Sequence, residues 1–176
     1  MKPTYKYGII TGIMVGLFAI GFFSAFNWFN TQYRWGIQAA NVRGISGLLT
    51  IIIQATGIYF SMAGVKQSQS GKITYGQSFK AGLTVAIITA LITALFGFIY
   101  CTIINPGYVE YMVNEARKSM IAAGKSSKQI SNDVVGIRWQ FSTTGQVVQA
   151  LVAQTVVGTI ISLLMAIFIE SKKKRS

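Results

Sequence analysis

The chain has 176 residues, of which 52% are hydrophobic and only 11% charged, with a mean hydropathy of +0.49 and a formal net charge of +12. Average domains carry about 25% charged residues, so this sequence lacks the exterior a soluble fold of its size requires and reads as a small integral membrane protein. The basic excess does not point to nucleic acid, because the lysines and arginines flank apolar runs; with one cysteine, Cys101, and no histidine, an intrachain disulfide and histidine-based chemistry are excluded.

A spanning helix needs about 20 predominantly apolar residues. Four segments qualify, at about 7–29, 44–64, 79–104 and 147–169, and none carries a charge in its middle. Backbone groups in lipid must be satisfied internally, so these runs predict an all-α, four-transmembrane-helix bundle. Segment 7–29 is longer than a signal-peptide core and no A-x-A site follows it, so it reads as a mature helix. It carries Gly8, Gly12 and Gly16, a doubled G-x-x-x-G suited to close helix contact. The second span carries Gly47, Thr50, Gln54, Gly57, Ser61 and Gly64, spaced three and four apart, which suits a left-handed pairing.

Between the second and third spans lies G-K-I-T-Y-G-Q-S-F-K-A-G, residues 71–82. A phosphate loop would place Lys and Ser/Thr after the second glycine; Gln77 and Ser78 stand there instead. The stretch therefore predicts a tight turn at Gly71, an interfacial Tyr75 and Phe79, and Lys72 and Lys80 as charge anchors. Gly76 is expected to need a positive φ, and Gly82 to open the small-residue seam Gly82, Ala86, Ala90, Ala94, Gly97 of the third span.

The loop 105–146 is the one sizeable segment outside the spans. Asn105-Pro106 reads as N-cap and first helical position. Val109, Met112, Val113, Ala116 and Met120 form one apolar face, and Gly124 stops that helix. Ser127 caps a second, with Ile130, Val134, Ile137 and Phe141 on its apolar face. Two amphipathic helices are thus expected, on the outer leaflet, over the bundle mouth or against a partner. In the last span Ala150, Gln154, Gly158, Ser162 and Ala166 recur every four residues. A buried amide needs a partner, and Gln54 with Gln154 is the simplest pair. Thr89, Thr93, Thr155 and Thr159 are expected to bond back onto the preceding helical turn.

Lys2, Lys6, Lys66, Lys72, Lys80 and the tail Lys172, Lys173, Lys174, Arg175 fall densely on one side; Arg34, Arg43, Arg117, Lys118, Lys125, Lys128 and Arg138 are spread along more chain on the other. The dense side predicts the cytoplasm, with both termini inside. Trp28, Trp35, Tyr100, Tyr108 and Trp139 form the expected outer aromatic belt, and Tyr5, Tyr7, Tyr59 and Tyr75 the inner one.

The 71–82 stretch also resembles the most recognisable motif of a bacterial membrane family, domain of unknown function 4199, whose pattern reads approximately G-K-I-S/T-F/Y-G-x-A-F-K-x-G, with Ser78 here in place of alanine. The similarity runs on through Ile104-Asn105-Pro106, Ala123-Gly124 and the last span with its basic end, over about residues 62–175, and more loosely through the first two spans. The outer loop departs from the family in being basic. The resemblance implies four transmembrane helices in a bacterial inner membrane and no established activity.

The acids are Glu110, Glu115, Asp133 and Glu170. Glu110 and Glu115 lie five apart on a helix and do not share a face. No catalytic residue, cofactor site or metal site is expected. The expectation is one membrane domain over 1–176 acting as a non-catalytic accessory or scaffold subunit. Its partners would be membrane lipids, with a membrane protein or a second copy of the chain. The alternatives are a passive channel or carrier for a lipid-linked molecule, lined by Gln54 and Gln154, and a membrane enzyme using the outer-loop acids. A wet cavity reaching Gln54 favours transport; a dry bundle with an exposed seam favours assembly.

Overall fold

The computed structural model describes residues 1–33 and 39–170. Arg34, Trp35 and the basic tail Lys172 to Arg175 lie outside the described residues. The described chain is helical throughout: α1 (Pro3–Tyr33), α2 (Ala39–Ser68), α3 (Tyr75–Ile99) continued by a π-helical turn (Tyr100–Ile104), α4 (Tyr108–Ala122), α5 (Ser127–Phe141) and α6 (Thr143–Ile169). Four of these, α1, α2, α3 with its π turn, and α6, are long and apolar enough to cross a membrane. The chain is a multi-pass helical membrane protein.

Glycines set the packing. In lipid there is no hydrophobic gain from pairing apolar helices, so backbones must approach closely to gain dispersion. A Cβ at Gly8 would lie 3.0 Å from Ile88 Cβ, one at Gly12 2.8 Å from Ile92 Cβ, and one at Gly16 2.7 Å from Phe96 Cδ2. Both series step by four in the same direction, so α1 and α3 run parallel. Gly57 meets Thr11 and Gly64 meets Pro3, which makes α1 and α2 antiparallel. Gly82 sits on Met62 and Ser162, and Gly158 on Ala86, which makes α3 and α6 antiparallel. Helix α3 therefore touches α1, α2 and α6 and forms the shared wall of the bundle.

Toward the end where α1 begins and α6 finishes, the bundle is tightly packed around Ile58, Met62, Ala81, Val85 and Ala166, with Tyr7, Val65, Tyr75, Phe79 and Ile169 against them. Lys66 Nζ donates to the carbonyl of Ile169 at 2.9 Å. It fastens α2 to the last turn of α6, where the helix dipole favours a cation.

At the opposite end α4 and α5 form a hairpin. Between them lies a Schellman turn: Lys125 N–H donates to Met120 O, Gly124 N–H donates to Ile121 O, and Gly124 takes φ +72°. The helix starts differ from the sequence expectation. Helix α4 begins at Tyr108 after Gly107, because the Asn105 carbonyl accepts from Tyr108 N–H in a turn and its side chain donates to Tyr100 Oη. Ser126, not Ser127, caps α5, in a capping box with Gln129. Ser142 caps α6 at Gly145 N–H, so this helix starts four residues before the expected 147.

Candidate functional site

The 71–82 stretch is a helix start. The chain turns through Ser70 (φ +55°) and Gly71 (φ +80°). Thr74 then caps α3: Gln77 N–H donates to Thr74 Oγ1 at 3.3 Å, and Thr74 N–H donates to Gln77 Oε1 at 2.9 Å. This T-x-x-Q capping box is a signal that the sequence itself carries. The positive φ expected at Gly76 belongs to Gly71, because Gly76 is already the second residue of α3. Tyr75 and Phe79 pack on the core beside Ile58 and Met62, and Ile73 is buried as a further anchor. Lys72 and Lys80 are exposed. Ser78 is fully buried with an unpartnered hydroxyl, a site where alanine would cost less.

Gln54 is fully buried, and its Nε2 donates at 2.9 Å to the backbone carbonyl of Gln154. The structure thus brings the two glutamines together, but through main chain on one side. Gln154 itself lines a cavity. Gln54 Oε1 is buried without a partner. Thr159 bonds back to Thr155 O, as expected, but the hydroxyls of Thr89 and Thr93 have no partner.

The cavity lies among all four long helices in the half of the bundle nearer the hairpin, with a volume of about 240 Å³. Its deep end is formed by Val15, Thr50, Thr93 and Gln154; Tyr100 and Cys101 of the π turn, with Tyr108 of α4, lie toward the hairpin. Beyond the deep end the helices close at the Gly158–Ala86 crossing, over which Gln54 Nε2 is seated. Gly97 takes no part in the seam to which the sequence assigned it: nothing lies within 4 Å of where its Cβ would be. Gly47 is open in the same way, and both glycines line the cavity.

The hairpin roofs this space. Tyr108 meets Tyr100 and Phe141 edge-on, with ring centroids 5.4 and 6.1 Å apart. Cys101, Tyr108, Met112 and Phe141 form one buried cluster, so Tyr108 belongs to the roof and not to an exposed aromatic belt. A π turn at such a place is a common mark of a functional helix segment. Gly145, missed in the sequence, makes the α5–α6 corner: a Cβ there would strike the backbone of Trp139 and Gln140.

Outside the cavity, Arg138 clasps both carboxylate oxygens of Glu110, holding that carboxyl below its ordinary range through the hydrogen bond and raising the Arg138 pKa in turn. Glu115 pairs with Lys118 at 2.8 Å, and Asp133 with Lys125 at 2.7 Å. Burial pushes the Tyr111 phenol up. Among the described residues no group of His, Cys, Asp and Glu could hold a metal ion.

A family model described as a protein of unknown function (DUF4199) matches residues 6–171. No curated protein and no solved structure matches the chain.

Proposed function

The chain belongs to the DUF4199 family, and from its own geometry we propose that it is a non-catalytic binding protein of the bacterial inner membrane, holding a small membrane-dissolved molecule in the hairpin half of its bundle. The cavity bordered by all four long helices, and open over part of its surface, carries this reading. Concave, largely apolar sites with a few polar groups are the usual form of small-molecule pockets. The packed half around Ile58, Met62 and Val85 argues for a carrier or receptor over an open channel. The outer-loop acids serve ion pairs, which removes the motive for an enzyme reading.

The packed end faces the cytoplasm in this proposal. Lys2, Lys6, Lys72 and Lys80 lie there, whereas three of the cations at the hairpin end are neutralised in ion pairs.

An accessory role is the second reading. Ile121, Val135 and Trp139 are exposed on the hairpin, a surface suited to lipid headgroups or a membrane partner. Gly8, Gly12, Gly16, Gly57, Gly82 and Gly158, by contrast, are spent within the chain, so a homo-oligomer through those positions loses its support.

Native mass spectrometry of protein extracted in mild detergent tests the binding reading. One small molecule per chain is expected, lost in Gly97→Leu, whose side chain would fill the cavity while the protein stays monodisperse. The same adducts on Gly97→Leu, or no adduct on the wild type after lipid is added back, would overturn it.

A further inference from the structure

We propose that the cavity selects an uncharged amphiphile whose head group donates hydrogen bonds, an alcohol or glycerol ester, seated at Thr93, Thr50 and Gln154 with its apolar body along Val15, Ala19, Ile20 and Phe96. The proposal rests on the binding reading above and adds the chemistry of the ligand.

Among the described residues, the wall carries no Asp, Glu, Lys or Arg. An ion placed there would lose its hydration with no counter-charge in return, at a cost of several kcal/mol. That selects against fatty acids, phospholipid head groups and metal ions.

The polar groups sit at the deep end and include an acceptor whose own donor is already spent. Helical threonines normally quiet their hydroxyls on the carbonyl four residues back. Thr56, Thr84, Thr102 and Thr159 all do so here, at 2.7–2.9 Å. Thr93 lines the cavity and does not; its buried hydroxyl has no partner. Thr50 donates to Gly47 O at 2.7 Å, which leaves its oxygen able to accept. A head that both donates and accepts can match the Thr50 lone pair as well as the Thr93 hydroxyl, whereas an acceptor-only head of the same length leaves the Thr50 lone pair unmatched.

The glycines on the wall leave room for a ligand. A glycine within a helix costs roughly 0.5–1 kcal/mol relative to alanine. Gly8, Gly12, Gly16, Gly82 and Gly158 are explained by a neighbouring helix against them, whereas Gly47 and Gly97 face open space on the cavity wall, as Gly21, Gly44, Gly76 and Gly136 do away from it. Their effect is to keep that space wide enough for an occupant.

Cys101 lies on the same wall, so its alkylation by N-ethylmaleimide reports occupancy. The probes are monooleoylglycerol, methyl oleate and oleate at pH 8, added to the detergent-solubilised protein, with native mass spectrometry on the same samples to count bound molecules. Monooleoylglycerol should bind one per chain and slow alkylation. Methyl oleate should need about fivefold more ligand for the same effect, the worth of one net hydrogen bond, and oleate should give none. Thr93→Val should bring monooleoylglycerol down to the methyl oleate level. Equal binding of the glyceride and the methyl ester, or preference for oleate, overturns this proposal while leaving the binding reading intact. If no probe binds and Gly97→Leu alkylates at the wild-type rate, both fall.

Discussion

The side-chain amide of Gln54 on α2 donates to the main-chain carbonyl of Gln154 on α6, 2.9 Å away, at the level where the cavity ends and close packing begins. Because the acceptor is backbone, the bond survives replacement of the Gln154 side chain. A double-mutant cycle on Gln54→Leu and Gln154→Leu, read by thermal unfolding in detergent, should therefore be additive within about 0.5 kcal/mol. Gln54→Leu alone should cost under about 1 kcal/mol, since such bonds are weak in membrane proteins and the substitution also removes the unpartnered Oε1. A larger coupling would mean that the two side chains bond each other.

The glycines should rank by what stands against them. Gly82→Leu drives a side chain into Ser162 and Met62, and Gly12→Leu into Ile92. Each should cost at least the 1–3 kcal/mol typical of overpacking and sharply reduce the monodisperse yield. Gly145→Ala should be as damaging despite its size, because the obstacle is rigid backbone at Trp139 and Gln140. Gly76→Val and Gly97→Leu enter open space and should keep most of the yield. Loss of folded protein from Gly76→Val would contradict the helical start given to α3.

Among the inner lysines one should stand out. Lys66 holds the Ile169 carbonyl at the end of α6, whereas Lys72 and Lys80 are exposed. Lys66→Met should lower stability by about 1 kcal/mol and speed amide exchange over 166–169. Lys72→Met and Lys80→Met should leave both unchanged. Equal effects of all three would reduce Lys66 to a topology charge.

The hairpin carries a pH dependence through Glu110. Its carboxyl is held below its ordinary value of 4.5, first by the hydrogen bond from Arg138 and then by the charges of Arg138 and Arg117. A depressed carboxylate contributes stability that is present above the ordinary value and lost as pH falls through the depressed one. Amide exchange in α4 and α5 should thus be flat from pH 7 to 5, after correction for intrinsic rates, and rise below pH 4.5. Glu110→Gln should remove most of that rise. The rise persisting in the variant would remove the Glu110–Arg138 pair as its origin.

Topology is open to direct labelling. Ser70 lies in the turn between α2 and α3, and Ser127 begins α5 at the opposite end. In a Cys101→Ser background, a cysteine at 127 should react with an impermeant thiol reagent in intact spheroplasts and a cysteine at 70 should not. Equal labelling would overturn the four-span arrangement, and the reverse pattern would invert the orientation.

The four spans were legible because twenty apolar residues in lipid have one economical backbone solution, and apolar runs are a property of the chain alone. The seams were legible for the same reason: Gly8, Gly12 and Gly16 announce a close approach before the partner is known. What the sequence could not say was which helix would answer. That Ile88, Ile92 and Phe96 fill the α1 groove, and that Gly97, in line with Gly82, faces a cavity, follows from how α3 lies against three neighbours at once. Gln54 and Gln154 were visible as buried amides, but only the α2–α6 approach sets the side chain of one against the carbonyl of the other. The cavity has no signature along the chain, because it is the space left where four helices pack closely at Gly158–Ala86 and separate toward Tyr108. Spacing along one helix fixes which residues share a face; where faces fail to meet is decided only when all of them are assembled.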